Sequence, residues 1–382
     1  LAKRELPFHV LLPSDSGEVP MALRERGIEY DVIKVPVLAK AKKSGLLGIL
    51  ETGLNSILYM IGCFYYLKKI TRFYKMYPFA IVHSTDTSAN IFTIILKIRF
   101  NSVLIWSLLG FFKNRFHQFL FQRLASVFCD HLVSSSRRIA QQMDRTHRWR
   151  EHLSVLHPGI EVERIELNLL DLEKMAASPV LAMAERCSLH DANGYRLFLR
   201  ILELFRRDQK NTRAVLFLFG NRLPEKENEI RGIIEQMCLV DTVEVHFIDR
   251  SFEAGRFAQE YAKYGVNIFI HPGVSFELQD MALTDAVLSG IPVVCGRDAE
   301  FSEYFMHGQT ALLAEAGNAQ AFVEELQVAL RDCSHTRMRA ELARKEFLTR
   351  FASQVIEAHF EKIYQKYVEE VLADDSEKKE AA

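Results

Sequence analysis

Short runs of apolar residues alternate along the chain with segments of helical periodicity, which is typical of α/β folds with parallel sheets. The first half predicts strands at 8–13, 30–35, 79–84, 102–106 and 131–134. The second half predicts strands at 179–184, 214–220, 243–248, 266–271 and 291–295, with helices at 194–206, 225–238, 257–264 and 281–289. Two doubly wound halves in tandem are therefore expected, with ligands at the C-terminal ends of the strands.

A chain of 382 residues is too long for one ordinary core. We expect a first Rossmann-like domain at 1–170, a second at 171–360, and a closing helix end with a charged tail at 361–382. The chain does not open with Met, and residues 1–4 resemble the end of a helix. The first domain is therefore expected to lack an N-terminal piece.

Charge and cysteine usage narrow the function classes. The net charge of −1 argues against nucleic acid as a partner, because binding to phosphate backbones needs a basic surface. The six cysteines are scattered, without a Cys-x-x-Cys pair or zinc-like spacing, as in proteins of a reducing compartment. The first residues do not form a signal peptide. The sequence therefore predicts a cytoplasmic protein without a metal site.

One apolar segment, 45–67, raises the question of a membrane. It contains Glu51 and Asn55, and lysines flank it on both sides, so it is too polar for a typical spanning helix. Two interpretations stay open: an amphipathic helix of the protein surface or core, and an interfacial helix resting on anionic lipid. The second would make the protein peripheral on the inner face of a membrane.

The most specific pattern lies between 266 and 316. It consists of Pro272 at a strand end, Glu277, a second acid eight residues later at Asp285, the run 289–294 (SGIPVV) with Gly290, Glu303, and the turn 308–312 (GQTAL). This block resembles the donor-binding block of the group 1 family of retaining GT-B-fold glycosyltransferases. The resemblance implies two Rossmann-like domains facing across a cleft, a nucleotide-sugar donor as substrate, retention of configuration, and no metal or further cofactor.

The resemblance also assigns roles to individual residues. Glu277 would contact the donor sugar and Asp285 the ribose hydroxyls, because a carboxylate accepts two hydroxyl hydrogens at once. Arg186, after the first strand of the second domain, would face the diphosphate. The amides that open the following helix would form an anion site. The other donor-binding candidates are Met281, Ala282, Gly290, Glu303, Asn193 and Gly194.

Three positions depart from the family pattern. Asn193 stands before Gly194 where the family carries Lys, residues 278–280 (LQD) replace a Pro-Phe-Gly-like stretch, and Asp285 replaces Glu. Loss of the lysine would weaken stabilisation of the diphosphate unless another cation substitutes. On the acceptor side, only His83, at the end of a strand, is a candidate.

Three hypotheses follow. The first is an active glycosyltransferase with an unidentified acceptor, which would be a lipid-linked molecule or a polysaccharide. The basic, apolar segment 40–75 favours a lipid-linked or membrane-proximal acceptor. The second is a GT-B-shaped nucleotide-sugar-binding or scaffold protein with reduced or lost catalysis. The third, a nicotinamide-dependent enzyme, ranks last because the sequence has no Gly-x-Gly-x-x-Gly turn after an early strand.

Overall fold

The computed structural model describes residues 8–36, 45–110, 112, 114–143, 152–162, 165–168, 170–187, 194–220, 222–249, 255–272, 281–297 and 301–380. The chain divides into two compact units, one of Leu1–Leu156 with His359–Ala382 and one of His157–Ala358. The sequence placed its domain boundary after residue 170.

The first unit contains two parallel sheets. The smaller pairs β1 (Val10–Leu12) with β2 (Tyr30–Val32), and the larger has the order β3 (Ile81–Ser84), β4 (Val103–Leu108), β5 (His131–Ser134), β6 (Leu153–Val155). Every residue of β4 is buried, as expected for a central parallel strand that is covered on both faces. The helices are α1 (Glu18–Glu25), α2 (Gly45–Met76), α3 (Thr87–Phe100), α4 (Arg115–Phe128) and α5 (Arg137–Met143).

Local chemistry sets the ends of α3. The side chain of Asp86 accepts hydrogen bonds from the backbone N–H groups of Ser88 and Ala89, at 2.8 and 3.3 Å. This is an N-cap, which satisfies amides that the first helical turn leaves without partners. Asn101 ends the helix in the left-handed conformation, with φ of 52°.

The second unit contains one six-stranded parallel sheet. Its order is β12 (Leu312–Glu315), β11 (Val293–Arg297), β10 (Ile268–His271), β7 (Val180–Cys187), β8 (Arg213–Gly220), β9 (Val243–Ile248). The chain starts in the middle at β7, runs outward through β8 and β9, and returns to β10 on the other side. The direction of winding therefore reverses between β7 and β10, where doubly wound folds bind ligands.

Two hydrophobic cores cover the faces of this sheet. Along β8, Phe217 belongs to one core, and its neighbours Leu216 and Leu218 belong to the other. This alternation follows the two-residue period of a strand. The helices are α6 (Leu172–Ala177), α7 (Gly194–Phe205), α8 (Pro224–Gln236), α9 (Arg256–Tyr264), α10 (Met281–Leu288), α11 (Phe301–Tyr304), α12 (Ala319–Arg331), α13 (Cys333–Phe351) and α14 (Ser353–Glu380). Helix α14 begins in the second unit, and its residues from His359 onward belong to the first.

The predicted fold class, α/β with parallel sheets in two units, is confirmed. In the part of the chain that the structure describes, no helix is both long and apolar enough to cross a bilayer.

Candidate functional site at the C-terminal ends of β7 and β10

Three chain segments converge where the winding of the second sheet reverses. Glu185 lies near the C-terminal end of β7, Pro272 directly follows β10, and Gly194 opens α7. A Cβ atom added to Gly194 would lie 2.9 Å from Oε2 of Glu185 and 3.7 Å from Cγ of Pro272. Glycine at this position therefore permits the close approach of helix and strand ends.

Arg186 supplies a positive charge at the same edge of the sheet. It is exposed, and its guanidinium carbon lies 5.8 Å from the ring centroid of Phe219, its register partner on β8. Within the described residues, no hydrogen bond or ion pair engages the guanidinium of Arg186. A planar cation without an anionic partner is suited to bind an external phosphate group.

Asp285, which the sequence assigned to the ribose hydroxyls, binds backbone amides of its own unit. It is fully buried, and its carboxylate accepts hydrogen bonds from backbone N–H groups at the start of α9: Gly255 at 3.2 Å, Phe257 at 3.0 Å and Ala258 at 3.3 Å. Gly255, the residue at the cap position of α9, has no side chain to do this. The negative charge also interacts favourably with the positive end of the helix dipole. Asp285 thus caps α9 from a neighbouring helix, and a contact with ribose stays a prediction.

Met281 and Ala282 open α10, as the sequence predicted, and Ala282 is buried. The Ala282 carbonyl accepts a hydrogen bond of 2.9 Å from the hydroxyl of Tyr261, which ties α10 to α9. The preceding loop, with Glu277, lies outside the described residues, as does Asn193. The anion site at the start of α10 and the roles of Glu277 and Asn193 stay predictions.

Gly290 ends α10. Its φ is 77°, in the left-handed region that favours glycine, its N–H donates to Val287, and the N–H of Ile291 donates to Ala286. This pair of bonds is a Schellman motif, which satisfies the last carbonyls of a helix. The geometry of the helix end therefore explains Gly290 without any contact to a nucleotide-sugar donor.

Glu303 belongs to a buried cluster that the sequence did not predict. Its side chain is 6% exposed, and its Oε1 lies 3.5 Å from Nε2 of His157. The other ring nitrogen of His157 lies 3.2 Å from the hydroxyl of Tyr304. No sequence pattern pairs His157 with a residue so far along the chain. The donor contact of Glu303 stays a prediction.

Both ring nitrogens of His83 lie within hydrogen-bonding distance of hydroxyl groups. Nδ1 lies 2.7 Å from the hydroxyl of Tyr364 on α14, and Nε2 lies 2.7 Å from the hydroxyl of Ser107 on β4. Burial lowers the pKa of His83 from 6.5 to about 4, so the ring is neutral near pH 7. The imidazole therefore ties α14 to the sheet of the first unit, and its acceptor-side role stays a prediction.

His131 repeats this arrangement two strands away. Its ring nitrogens lie 3.2 Å from the hydroxyl of Tyr367 on α14 and 2.9 Å from that of Ser154 on β6. Burial is also the main cause that lowers the pKa of His131 to about 4. The described residues contain no group of three or more His, Cys, Asp or Glu side chains that would hold a metal ion.

Comparison with known proteins identifies relatives of this fold. Residues 178–332 match the family model described as glycosyl transferases group 1. No curated protein sequence matches the chain. Among solved structures, HepE from Anabaena in complex with UDP is 16% identical, with a TM-score of 0.72, over 94% of this chain and 92% of that one.

Two further structures are similar over most of their lengths. A glycosyltransferase from Rickettsia africae is 15% identical, with a TM-score of 0.70, over 94% of this chain and 90% of that one. Sucrose-phosphate synthase from Thermosynechococcus elongatus is 13% identical, with a TM-score of 0.63, over 94% and 99%. At these identities the similarity establishes the GT-B fold.

Proposed function

We propose that this chain, residues 178–332 of which match the model of group 1 glycosyl transferases, transfers a sugar from a nucleotide-diphosphate donor to an acceptor hydroxyl, with retention and without a metal ion. The observation that carries the proposal is the position of Arg186. This exposed cation lies at the C-terminal end of β7, next to the point where the winding of the sheet reverses. Retention and independence of metal come from the family resemblance.

The residues have complementary roles in this proposal. Departure of a nucleoside diphosphate leaves negative charge on the phosphates, and Arg186 would stabilise that charge together with the amides of Met281 and Ala282 at the start of α10. Glu277 would contact the sugar. Asp285 would hold the start of α9 beside α10 and so keep these two helices in position at the nucleotide site.

UDP is the first ligand to test, because HepE has been solved with UDP and with UDP-glucose. We expect Arg186→Ala to weaken UDP binding roughly tenfold to a hundredfold, the equivalent of a charge-assisted hydrogen bond of about 1.5–3 kcal/mol. The matched control is Arg213→Ala, an exposed arginine at the opposite end of the adjacent strand β8. Titration calorimetry measures both variants, and equal affinities for the two would contradict the proposed diphosphate site.

A second candidate function, nucleotide-sugar binding without transfer, is favoured by Asn193 where the family carries Lys. Mass spectrometry of products from a panel of nucleotide sugars and acceptors separates the two. A wild-type chain that binds UDP but transfers no sugar from any donor would support the binding protein and contradict the transferase.

The acceptor and the location of the protein form the remaining part of the proposal. The scattered cysteines support a cytoplasmic enzyme, and the basic, apolar α2 supports a lipid-linked acceptor over a soluble polysaccharide. Peripheral attachment to the inner face of a membrane would bring the enzyme to such an acceptor.

A further inference from the structure

The outward face of α2 is apolar. Leu54, Ile57, Leu58, Ile61 and Phe64 follow one another at helical spacing, and between 57% and 72% of each residue is exposed. The sequence from 54 to 67 has no charged residue. Single exposed apolar residues are common in soluble proteins, but a continuous face of them marks an interaction surface.

The opposite face of α2 already has its partners. Tyr66 and Ile70 are buried in a small core with Ile33, and Phe92 of α3 packs against this core. Tyr74 is also buried, and its hydroxyl donates to the carbonyl of Phe79. The helix is therefore anchored to its unit by one face, and the exposed apolar face is not needed for that packing.

The exposed face becomes basic toward the C-terminal end of the helix. Lys68, Lys69, Arg72 and Lys75 continue the same line, all exposed, and Nζ of Lys69 lies 4.7 Å from the ring centroid of Tyr65. An apolar face with a basic continuation matches the boundary between acyl chains and anionic headgroups.

The charge of the surrounding sequence is equally one-sided. Between 52 and 129 the only acid is Asp86, in a chain whose net charge is −1. The basic residues in this range are Lys68, Lys69, Arg72, Lys75, Lys97, Arg99, Lys113, Arg115 and Arg123.

Helix α4 has the same character as α2. Phe116, Phe119 and Val127 are exposed, and the guanidinium carbon of Arg123 lies 5.2 Å from the ring centroid of Phe119. Both helices pack against α3. Exposed apolar and basic residues therefore occur together on more than one helix of this unit.

We propose that α2 is an interfacial helix that seats the first unit on an anionic lipid bilayer. Its apolar face would enter the boundary between headgroups and acyl chains, to a depth of about 5–10 Å. The charges decide the occupant. A second copy of this chain docked on the same face would bring lysines against lysines or apolar side chains, because the face offers no carboxylate between residues 54 and 76.

The inference deepens the proposed lipid-linked acceptor by naming the surface on which the enzyme would meet it. It rests on the proposed function only in that respect, because binding to lipid needs neither donor nor acceptor. The two are tested separately: lipid binding by sedimentation without substrate, and UDP binding by calorimetry without lipid.

The test is sedimentation of the full chain with vesicles of phosphatidylcholine, alone or mixed with phosphatidylglycerol. We expect the wild type to sediment with the mixed vesicles and to stay in the supernatant with phosphatidylcholine alone. Phe64→Glu should abolish sedimentation, whereas Met338→Glu should leave it unchanged, because Met338 is equally an exposed residue (59%) on α13 of the other unit. UDP affinity should be unchanged in both variants.

A separate experiment tests the basic part of the surface. Lys68→Gln with Lys69→Gln should weaken binding to the mixed vesicles roughly fivefold per charge removed. The control pair is Arg207→Gln with Lys210→Gln, which removes two exposed charges from the second unit. In the variant Phe64→Trp, tryptophan emission should shift to shorter wavelength on adding mixed vesicles.

Three results would overturn the inference. They are a wild type that stays in the supernatant with mixed vesicles, a Phe64→Glu variant that sediments like the wild type, and a dimer in lipid-free solution that Phe64→Glu dissociates. The last result would assign the face to a second copy of the chain.

Discussion

Helices α10 and α2 are both strongly apolar, but they differ in how much of their surface is buried. Seven of the eight residues of α10 are buried, so the second unit encloses this helix on nearly all sides. Helix α2 is enclosed on one face only, and the face that carries Phe64 is exposed. Apolar composition thus leads to burial where a unit supplies neighbours on every side, and to an external surface where it does not.

Buried polar side chains also differ between the two units. In the second unit, Asp285 keeps a carboxylate in the interior, satisfied by backbone amides that carry partial positive charge. In the first unit, His83 and His131 are held as neutral rings by hydroxyl groups. The second unit therefore accommodates a buried carboxylate, whereas the buried histidines of the first would lose their arrangement on becoming charged.

The largest effect is expected from Asp285→Ala. The substitution leaves three amides of α9 without acceptors in a fully buried position, so the free energy of unfolding of the second unit should fall by about 3 kcal/mol. Urea unfolding followed by circular dichroism measures this change. Asn318→Ala, which removes an exposed N-cap of α12, should cost only about 1 kcal/mol and serves as the control.

UDP affinity of the same variants separates the two roles of Asp285. If Asp285→Ala keeps the stability of the wild type but loses UDP binding, the carboxylate serves the nucleotide and not the cap. Asp285→Asn should lie between wild type and Asp285→Ala in stability, because the amide keeps one acceptor oxygen.

Much of the fold was predictable because the strands of parallel sheets are long apolar runs. The run 214–220 (AVLFLFG) predicted β8 to within one residue, and β5 and β9 were predicted with their observed bounds. Strand β6 was missed because its sequence, LSV, is not an apolar run, and β12 because it follows a turn motif. Helix α4 was also missed, although its apolar residues recur at helical spacing.

The site was predictable where it depends on the end of a strand. Arg186 and Gly194 lie at the expected edge because the end of β7 fixes the first and the start of α7 fixes the second. Asp285 binds amides at the start of α9, the helix that precedes it in the chain. Glu303 contacts His157, at the beginning of the unit. Such contacts depend on tertiary packing, which a local pattern does not contain.

The buried histidines predict an acid-sensitive first unit. Their pKa values are about 4 in the folded chain and 6.5 as the ordinary value, so between these pH values the unfolded chain binds more protons. The free energy of unfolding must therefore fall as the pH drops from 6.5 to 4. Burial is the main cause of the lowered pKa of His131, and the positive charge of Lys366 contributes to it. Fluorescence of the buried Trp106 in urea reports the first unit.

Matched variants show whether these rings are the cause. His83→Gln should flatten the dependence of stability on pH, whereas His117→Gln, at an exposed position of the same unit, should leave it unchanged. An unaltered slope in His83→Gln would contradict the assignment. Tyr364→Phe should cost about 1 kcal/mol near pH 7, because Nδ1 of His83 loses its partner.

The smallest change in stability is expected for Gly194→Ala. The same substitution at Gly232 should have an effect of the opposite sign. In Gly194→Ala the new methyl group would meet Oε2 of Glu185 and Cε of Met183, both at 2.9 Å. These are the ends of flexible side chains, so we expect a loss of only about 0.5 kcal/mol, but Glu185 must move within the candidate site. Gly232→Ala, inside α8 with open space around it, should gain up to about 1 kcal/mol. If the strand ends of the second unit hold the nucleotide, UDP affinity will fall several-fold in Gly194→Ala and stay constant in Gly232→Ala, and equal affinities would place the nucleotide away from this edge.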